Sequence, residues 1–166
     1  MKTVHLIRHS KSSWSIDGLD DCDRPLKGRG IRDAHLVSQF FKNEIARPNE
    51  LIWYSSTAVR ALHTALIFAR NMEVKEKNII IDKSLYHCDA EQILPSIQAV
   101  PEHYDSAIFF AHNPALTDVV NQITKASINN VPTTGLVSIR FDCDKWKHAG
   151  AGAELIQFQY PKGLKR

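Results

Sequence analysis

The sequence predicts an α/β fold, a three-layer sandwich in which helices cover both faces of a mainly parallel central sheet. Three observations carry this. Short apolar, β-branched runs alternate with longer amphipathic ones along the 166-residue chain. Several short runs are apolar on both faces, as strands covered by helices on each side are. The β-α-β-α order supplies the helices that parallel strands need as crossovers. The length fits one domain, for which roughly 100–200 residues is usual; a single domain over residues 1–166, with a basic tail at about 162–166, is expected.

The elements follow in order. Residues 3–7 (Thr-Val-His-Leu-Ile) read as the first strand. Ile31, Ala34, Val37, Phe41 and Ile45 recur at three- and four-residue steps, the apolar stripe of a helix. Residues 51–54 give the second strand, and Ser55-Ser56-Thr57 the cap region of a helix patterned by Ala58, Leu62, Ala65 and Ala69. Residues 79–81 give the third strand. Asp89 and Gln92 fit a capping box, in a segment that Pro95 should kink or end. Residues 107–111 give the fourth strand, and Asn113-Pro114 opens a helix through Ile123. Residues 136–141 and 154–160 are late strands, paired as a hairpin or at an edge. The tail holding Lys162, Lys165 and Arg166 reads as a solvated, frayed end.

Charge and composition narrow the function. The net charge is +3, and three of the 21 cations sit in the tail, so residues 1–161 balance 18 cations against 18 anions. A neutral body argues against nucleic acid as a partner. The apolar runs are far shorter than the roughly 20 residues a membrane span takes, and Arg8 breaks the first run before a signal-peptide core forms. A cytoplasmic protein with no membrane partner is expected. Cys22, Cys88 and Cys143 form no CxxC pair; reduced thiols and no zinc site are expected.

In parallel α/β sheets ligands bind at the carboxyl ends of the strands. The first strand ends Arg8-His9-Ser10, the second leads through Ser55-Ser56-Thr57 to Arg60, and the fourth ends Ala111-His112-Asn113-Pro114. Arg8, His9, Arg60 and His112 thus open into one crevice. All four can be cationic, with no acidic residue beside them in sequence, and such a cluster repels itself unless an anion occupies it. Guanidinium forks suit phosphoryl oxygens. Arg60 falls in the first turn of its helix, the wrong sign for that end of the dipole, and a bound phosphate reverses the penalty.

These residues resemble the histidine phosphatase superfamily, the phosphoglycerate-mutase-like fold, and within it the short SixA-type phosphohistidine phosphatases. The resemblance rests on Leu6-Ile7-Arg8-His9-Ser10-Lys11-Ser12-Ser13-Trp14, on Asp23-Arg24-Pro25-Leu26-Lys27-Gly28-Arg29-Gly30, and on Ser56-Thr57-Ala58-Val59-Arg60-Ala61-Leu62-His63-Thr64-Ala65. Leu85-Tyr86, Ala111-His112-Asn113-Pro114 and Pro132-Thr133-Thr134-Gly135 follow in the family's order. Ser10 departs from the glycine that usually follows the family's nucleophilic histidine.

The resemblance implies that His9 attacks phosphorus and forms a phosphohistidine that water hydrolyses, while Arg8, Arg60 and His112 hold the oxygens. One ring nitrogen of His9 must then be unprotonated and the other tied to an acceptor, for which a backbone carbonyl is expected. The resemblance calls for no metal or cofactor. Superfamily members acting on phosphate esters carry an acid in the loop that here reads Leu85-Tyr86-His87-Cys88-Asp89-Ala90-Glu91. Glu91 and Asp89 are the candidates, but both also fit an ordinary helix start, the reading favoured here. With no insertion long enough for a lid, the expected substrate is a phosphohistidine-bearing protein. A small phosphate ester is the alternative, a non-catalytic phosphate-binding domain a third reading, and a monomer is expected. Lys11, Arg24 and Lys27 are placed equally at the pocket mouth or in solvated loops. Asp17, Asp20, Asp21 and Asp23 read as a solvated loop, Trp14 and Trp53 as packing residues, with Trp14 also placed to line the pocket mouth, and His63 as structural.

Overall fold

The computed structural model describes residues 1–87 and 90–165. Its strands are β1 (Lys2–Arg8), β2 (Ile52–Ser55), β3 (Ile79–Ile81), β4 (Ser106–Ala111), β5 (Leu136–Phe141) and β6 (Glu154–Gln159). They form one sheet in the order β3-β2-β4-β1-β5-β6. The first four of that order are mutually parallel, and β5 and β6 run antiparallel as an edge hairpin. The mainly parallel α/β sheet and its late hairpin are as the sequence predicts.

The helices are α1 (Gly28–Glu44), α2 (Val59–Asn71), α3 (Ala90–Gln98), α4 (Ala115–Ile123) and a short α5 (Pro161–Leu164). Successive strand residues point to opposite faces, and both faces are covered. Ile7, Ile108, Phe110 and Trp53 pack with Val37, Phe41, Ala65 and Phe68 of α1 and α2. Val4, Leu6, Ala107 and Phe109 pack with Ile93 and Ile97 of α3 and Leu116 and Val120 of α4. His5 belongs to the first face, its ring 4.9 Å from Phe41 and its Nδ1 2.8 Å from Ser138 Oγ, a satisfied core histidine.

Three local expectations are corrected. Pro95 does not end its helix: α3 continues through it because Ile93 and Ile97, one turn apart around it, are both buried. Packing there outweighs the missing N–H and the clash with the preceding turn. The cap of α2 is Ala58, while Ser56, two residues upstream, accepts at Oγ from the Ala58 N–H at 3.3 Å. The basic tail is not frayed, because Leu164 packs against the α1–α2 core and Lys165 pairs at 2.7 Å with the buried Asp33 of α1. Arg166 lies outside the described residues.

Gly30 is where α1 meets the loop after β1. A Cβ there would lie 2.1 Å from the Lys11 carbonyl oxygen, whereas one at Gly28 meets only the tip of Arg32 at 3.6 Å. Gly30→Ala is therefore expected to cost about 1–3 kcal/mol, the usual scale of overpacking, in urea denaturation. Gly28→Ala is expected to be neutral or slightly stabilising. A wild-type midpoint for Gly30→Ala would refute the close approach.

Candidate active site

The site is built by strand register. Arg8 of β1 pairs with Ala111 of β4, and the ladder runs one residue further: His9 N–H donates to Ala111 O at 3.1 Å, and Ser56 N–H to Phe110 O at 3.0 Å. Because β2, β4 and β1 are adjacent and parallel, His9, His112 and the lead-in to α2 emerge level at one edge. The His9 and His112 rings lie 5.1 Å apart, and Arg60 is the second residue of α2. Arg8, His9, Arg60 and His112 line one cleft of about 540 Å³, so the structure brings together all four residues singled out in the sequence.

Each side chain is oriented by specific partners. His9 Nδ1–H donates to the Ser10 carbonyl at 2.8 Å. A carbonyl only accepts, so the proton is on Nδ1 and Nε2 keeps its lone pair. Ser10 is itself fixed: its N–H donates to Thr64 Oγ1 at 2.9 Å, and its hydroxyl accepts from Thr134 Oγ1 at 2.7 Å. The side chain that replaces the family's usual glycine is thus absorbed away from the cleft. Thr134 has φ 61° and is fully buried, an uncommon backbone for a β-branched residue, of the sort that concentrates at functional sites.

Arg8 Nη1 donates to Val131 O at 2.9 Å. His112 Nε2 lies 2.8 Å from Ser56 Oγ, which already accepts from Ala58 N–H. The Ser56 hydroxyl hydrogen has no other acceptor among the described residues, and donating it to Nε2 leaves the His112 proton on Nδ1. Three buried donors then have no hydrogen-bond partner among the described residues: Arg8 Nε, Arg60 Nε and His112 Nδ1. Buried polar groups are rarely left so, and these three belong to residues that line the cleft.

The charges differ from the sequence expectation. Burial, with Arg60, Arg8 and Arg24 nearby, outweighs the Ser10 hydrogen bond and lowers the His9 pKa to about 4. Burial, together with His9 and Arg60, lowers His112 to about 3. Both imidazoles are therefore neutral near pH 7, and the fixed positive charge is carried by guanidiniums. No acid is beside them in sequence, but one is in space. Asp21, distant in sequence, accepts at Oδ2 from Arg60 Nη2 (3.0 Å) and Tyr86 OH (2.7 Å), and at Oδ1 from Arg24 Nε (3.0 Å). Its backbone carbonyl accepts from Arg60 Nη1 at 2.6 Å. The Tyr86 hydroxyl above all, then the two arginines, hold the Asp21 carboxyl well below the usual carboxylate range. Burial and Asp21 raise the Tyr86 phenol to about 12, so it stays a donor.

Sequence reasoning missed Asp21 and Tyr86 as lining residues. It placed Arg24 only as one of two possibilities, and Arg24 is buried in the cleft wall, with its Nη1 donating to Ser12 Oγ at 2.8 Å. The D-x-x-R spacing of Asp21 and Arg24 was the signal available, since a short helical turn over Asp21–Asp23 brings the two together. Trp14 is not a packing residue: it is 77% exposed on the cleft rim, with the Arg24 guanidinium 3.4 Å from its ring centroid. Trp53 is buried as expected. Lys11 is an exposed rim residue and Lys27 lies outside the cleft. Glu91 is exposed on the first turn of α3 and does not line the described cleft, in keeping with an ordinary helix start. Asp89 lies outside the described residues. Among the described residues no group of histidine, cysteine or acidic side chains is placed to hold a metal ion, and no helix is long and apolar enough to cross a membrane.

Residues 4–93 match the model of the histidine phosphatase superfamily, branch 1. The chain belongs to that superfamily and is a phosphatase of its class. Among its relatives, an uncharacterised protein of Mycobacterium leprae is 25% identical, over 94% of this chain and 100% of that one. A structure assigned as the phosphohistidine phosphatase SixA from Agrobacterium tumefaciens is 26% identical, with a TM-score of 0.79 over 96% of this chain and 98% of that one. The protein histidine phosphatase SixA complexed with tungstate superposes with a TM-score of 0.81 over 98% and 99% of the two chains, at 18% identity, and shares the fold.

The lowered pKa values give a signed prediction. For His5, held at about 4 by burial, and for His9 and His112, folding favours the neutral form. The unfolded chain binds protons first as pH falls below the ordinary value near 6.5. Stability is therefore full above that pH and declines toward pH 4, by about 1–3 kcal/mol per histidine. Histidine-resolved NMR should show no titration of His9 or His112 between pH 5.5 and 8 in the anion-free protein. An inflection near 6.5 for either would contradict their burial.

Proposed function

We propose that the protein removes the phosphoryl group from phosphohistidine on a partner protein, through a covalent phosphohistidine on His9. The observation that carries this is the set of three unpartnered buried donors, Arg8 Nε, Arg60 Nε and His112 Nδ1, on residues lining the cleft of His9. Preorganised donors of this kind stabilise the equatorial oxygens of a phosphoryl group in transfer and need no reorganisation as charge develops. The N-terminus of α2, beside Arg60, adds a favourable dipole for the same anion.

His9 Nε2 attacks phosphorus in line. The new N–P bond forms as the bond to the leaving group breaks, and the leaving group departs opposite Nε2. The Ser10 carbonyl accepts from Nδ1–H throughout, stabilising the ring as Nε2 becomes bonded. A water molecule then attacks the phosphohistidine, returning His9 and releasing inorganic phosphate. His112, donating from Nδ1, and the two arginines serve both steps.

The leaving group is argued from Asp21. It is the carboxylate that lines the described cleft, and three donors hold it ionised. A carboxylate so stabilised is a poor proton donor, and an alkoxide leaving group needs one. An imidazole whose far nitrogen is protonated leaves as a neutral ring without that help. The open cleft, with Trp14 exposed at its rim, suits a phosphorylated side chain on a protein surface. The likeness to structures assigned as SixA phosphohistidine phosphatases supports the same substrate.

With phosphoimidazole or a histidine-phosphorylated protein as donor, an acid-labile, base-stable phosphate is expected on His9. His9→Ala should abolish both adduct and turnover, and sugar phosphates should turn over at least about a hundredfold more slowly, the scale of a missing general acid. Hydrolysis unaffected in His9→Ala ends the covalent mechanism. A strong preference for sugar phosphates would instead assign the protein to small phosphate esters.

A further inference from the structure

We infer that Asp21 is a positioning residue for phosphoryl transfer: it aims the Nε edge of Arg60 at the phosphoryl site and offsets part of the positive charge of the cleft. The inference rests on the phosphatase reading above and adds a residue that reading does not need.

The geometry separates two roles that a carboxylate on a substrate-binding arginine can play. A competitor would occupy the edge that the phosphoryl oxygens use. A brace would hold another edge and leave that one open. Arg60 gives Asp21 one hydrogen from each terminal nitrogen, Nη1 to the backbone oxygen at 2.6 Å and Nη2 to Oδ2 at 3.0 Å. Its Nε stays buried and unpartnered. A guanidinium has five N–H donors, so this grip leaves Nε–H, with hydrogens remaining on the terminal nitrogens, for a phosphoryl group. Asp21 is a brace.

The brace is itself fixed. Tyr86 OH donates to Oδ2 at 2.7 Å and Arg24 Nε to Oδ1 at 3.0 Å, so the carboxylate has little freedom to swing into the cleft. Arg24 in turn is tied to Ser12 Oγ and Trp14. Arg60 is 5% exposed, and a long side chain at that depth keeps a single orientation only where its partners dictate one.

Charge points the same way. The cleft walls carry three guanidiniums, Arg8, Arg24 and Arg60, against the single carboxylate of Asp21, while His9 and His112 are neutral near pH 7 and Lys11 is an exposed rim residue. With Lys11 at the rim the lining carries four cations against one carboxylate, so Asp21 offsets part of the positive charge that a phosphoryl dianion meets. Without Asp21 the cleft would hold an extra uncompensated cation. It would bind phosphate at least as tightly, but with Arg60 free to turn away from the transition state. Uniform binding of that kind does not accelerate the chemical step.

The test is a split between turnover and binding. Wild type, Asp21→Asn and Tyr86→Phe are assayed with phosphoimidazole and with p-nitrophenyl phosphate, with inorganic phosphate as competitive inhibitor. Asp21→Asn is expected to lower kcat at least about tenfold, the scale of one misplaced transition-state donor, while the phosphate Ki stays within about threefold of wild type or tightens. Tyr86→Phe, which removes one hydroxyl, should lower kcat by about two- to fivefold with Ki unchanged. Wild-type or higher kcat in Asp21→Asn overturns the inference, because the carboxylate is then a competitor or a bystander. Equal losses of kcat and phosphate affinity overturn it too, because Asp21 then only holds the cleft together. Should Asp21→Asn not fold, Tyr86→Phe decides alone, and an unchanged kcat there is refuting. Turnover of p-nitrophenyl phosphate without phosphoimidazole defeats the substrate assignment and leaves the Asp21 split readable on the ester.

Discussion

The hydrogen bond from His9 Nδ1 to the Ser10 carbonyl governs what the cleft is able to do. It decides which ring nitrogen carries the proton, and hence that the other presents a lone pair to phosphorus. Its acceptor is locked from two sides, by Thr64 of α2 and by Thr134 in the loop before β5. Thr134 holds an uncommon left-handed backbone there, and its N–H also reaches the carbonyls of Arg8 and His9 at 3.1 and 3.2 Å. One strand end, one helix and one loop thus converge on the orientation of a single imidazole.

The parallel sheet makes that convergence possible. In β1, β4 and β2 the ladder carries past the last strand residue, so side chains from three distant parts of the chain meet without a long loop having to order itself. Helices on both faces exclude water from below, which is why the imidazoles are neutral and why unpartnered donors there are costly. An anion resolves both costs at once. It satisfies Arg8 Nε, Arg60 Nε and His112 Nδ1, and it balances the guanidiniums that Asp21 leaves uncompensated.

The sheet, its order of elements and the four residues at the strand ends were legible because they follow from period and position. Apolar runs mark strands, stripes mark helices, and strand termini mark the crevice. The β5 bounds agree with the sequence reading to the residue. What was illegible depends on tertiary neighbours. Asp21 reads as solvated because its partners Arg60 and Tyr86 lie 39 and 65 residues away. The charge of His9 depends on burial that no local pattern encodes. Of the two readings Trp14 allows, packing and the pocket mouth, the structure takes the second: it is exposed, lines the cleft and lies against Arg24. Pro95, which on intrinsic preference kinks or ends a helix, does not end this one, because the buried isoleucines on either side hold it.

A crystal structure with vanadate would test the central claim most directly, since vanadate adopts the trigonal bipyramid of phosphoryl transfer. The account predicts vanadium in line with and bonded to His9 Nε2, its equatorial oxygens within roughly 2.7–3.1 Å of Arg8 Nε, Arg60 Nε and His112 Nδ1, and Asp21 still on the far edge of Arg60. Vanadate seated elsewhere, or bound with those three nitrogens turned away, would contradict it.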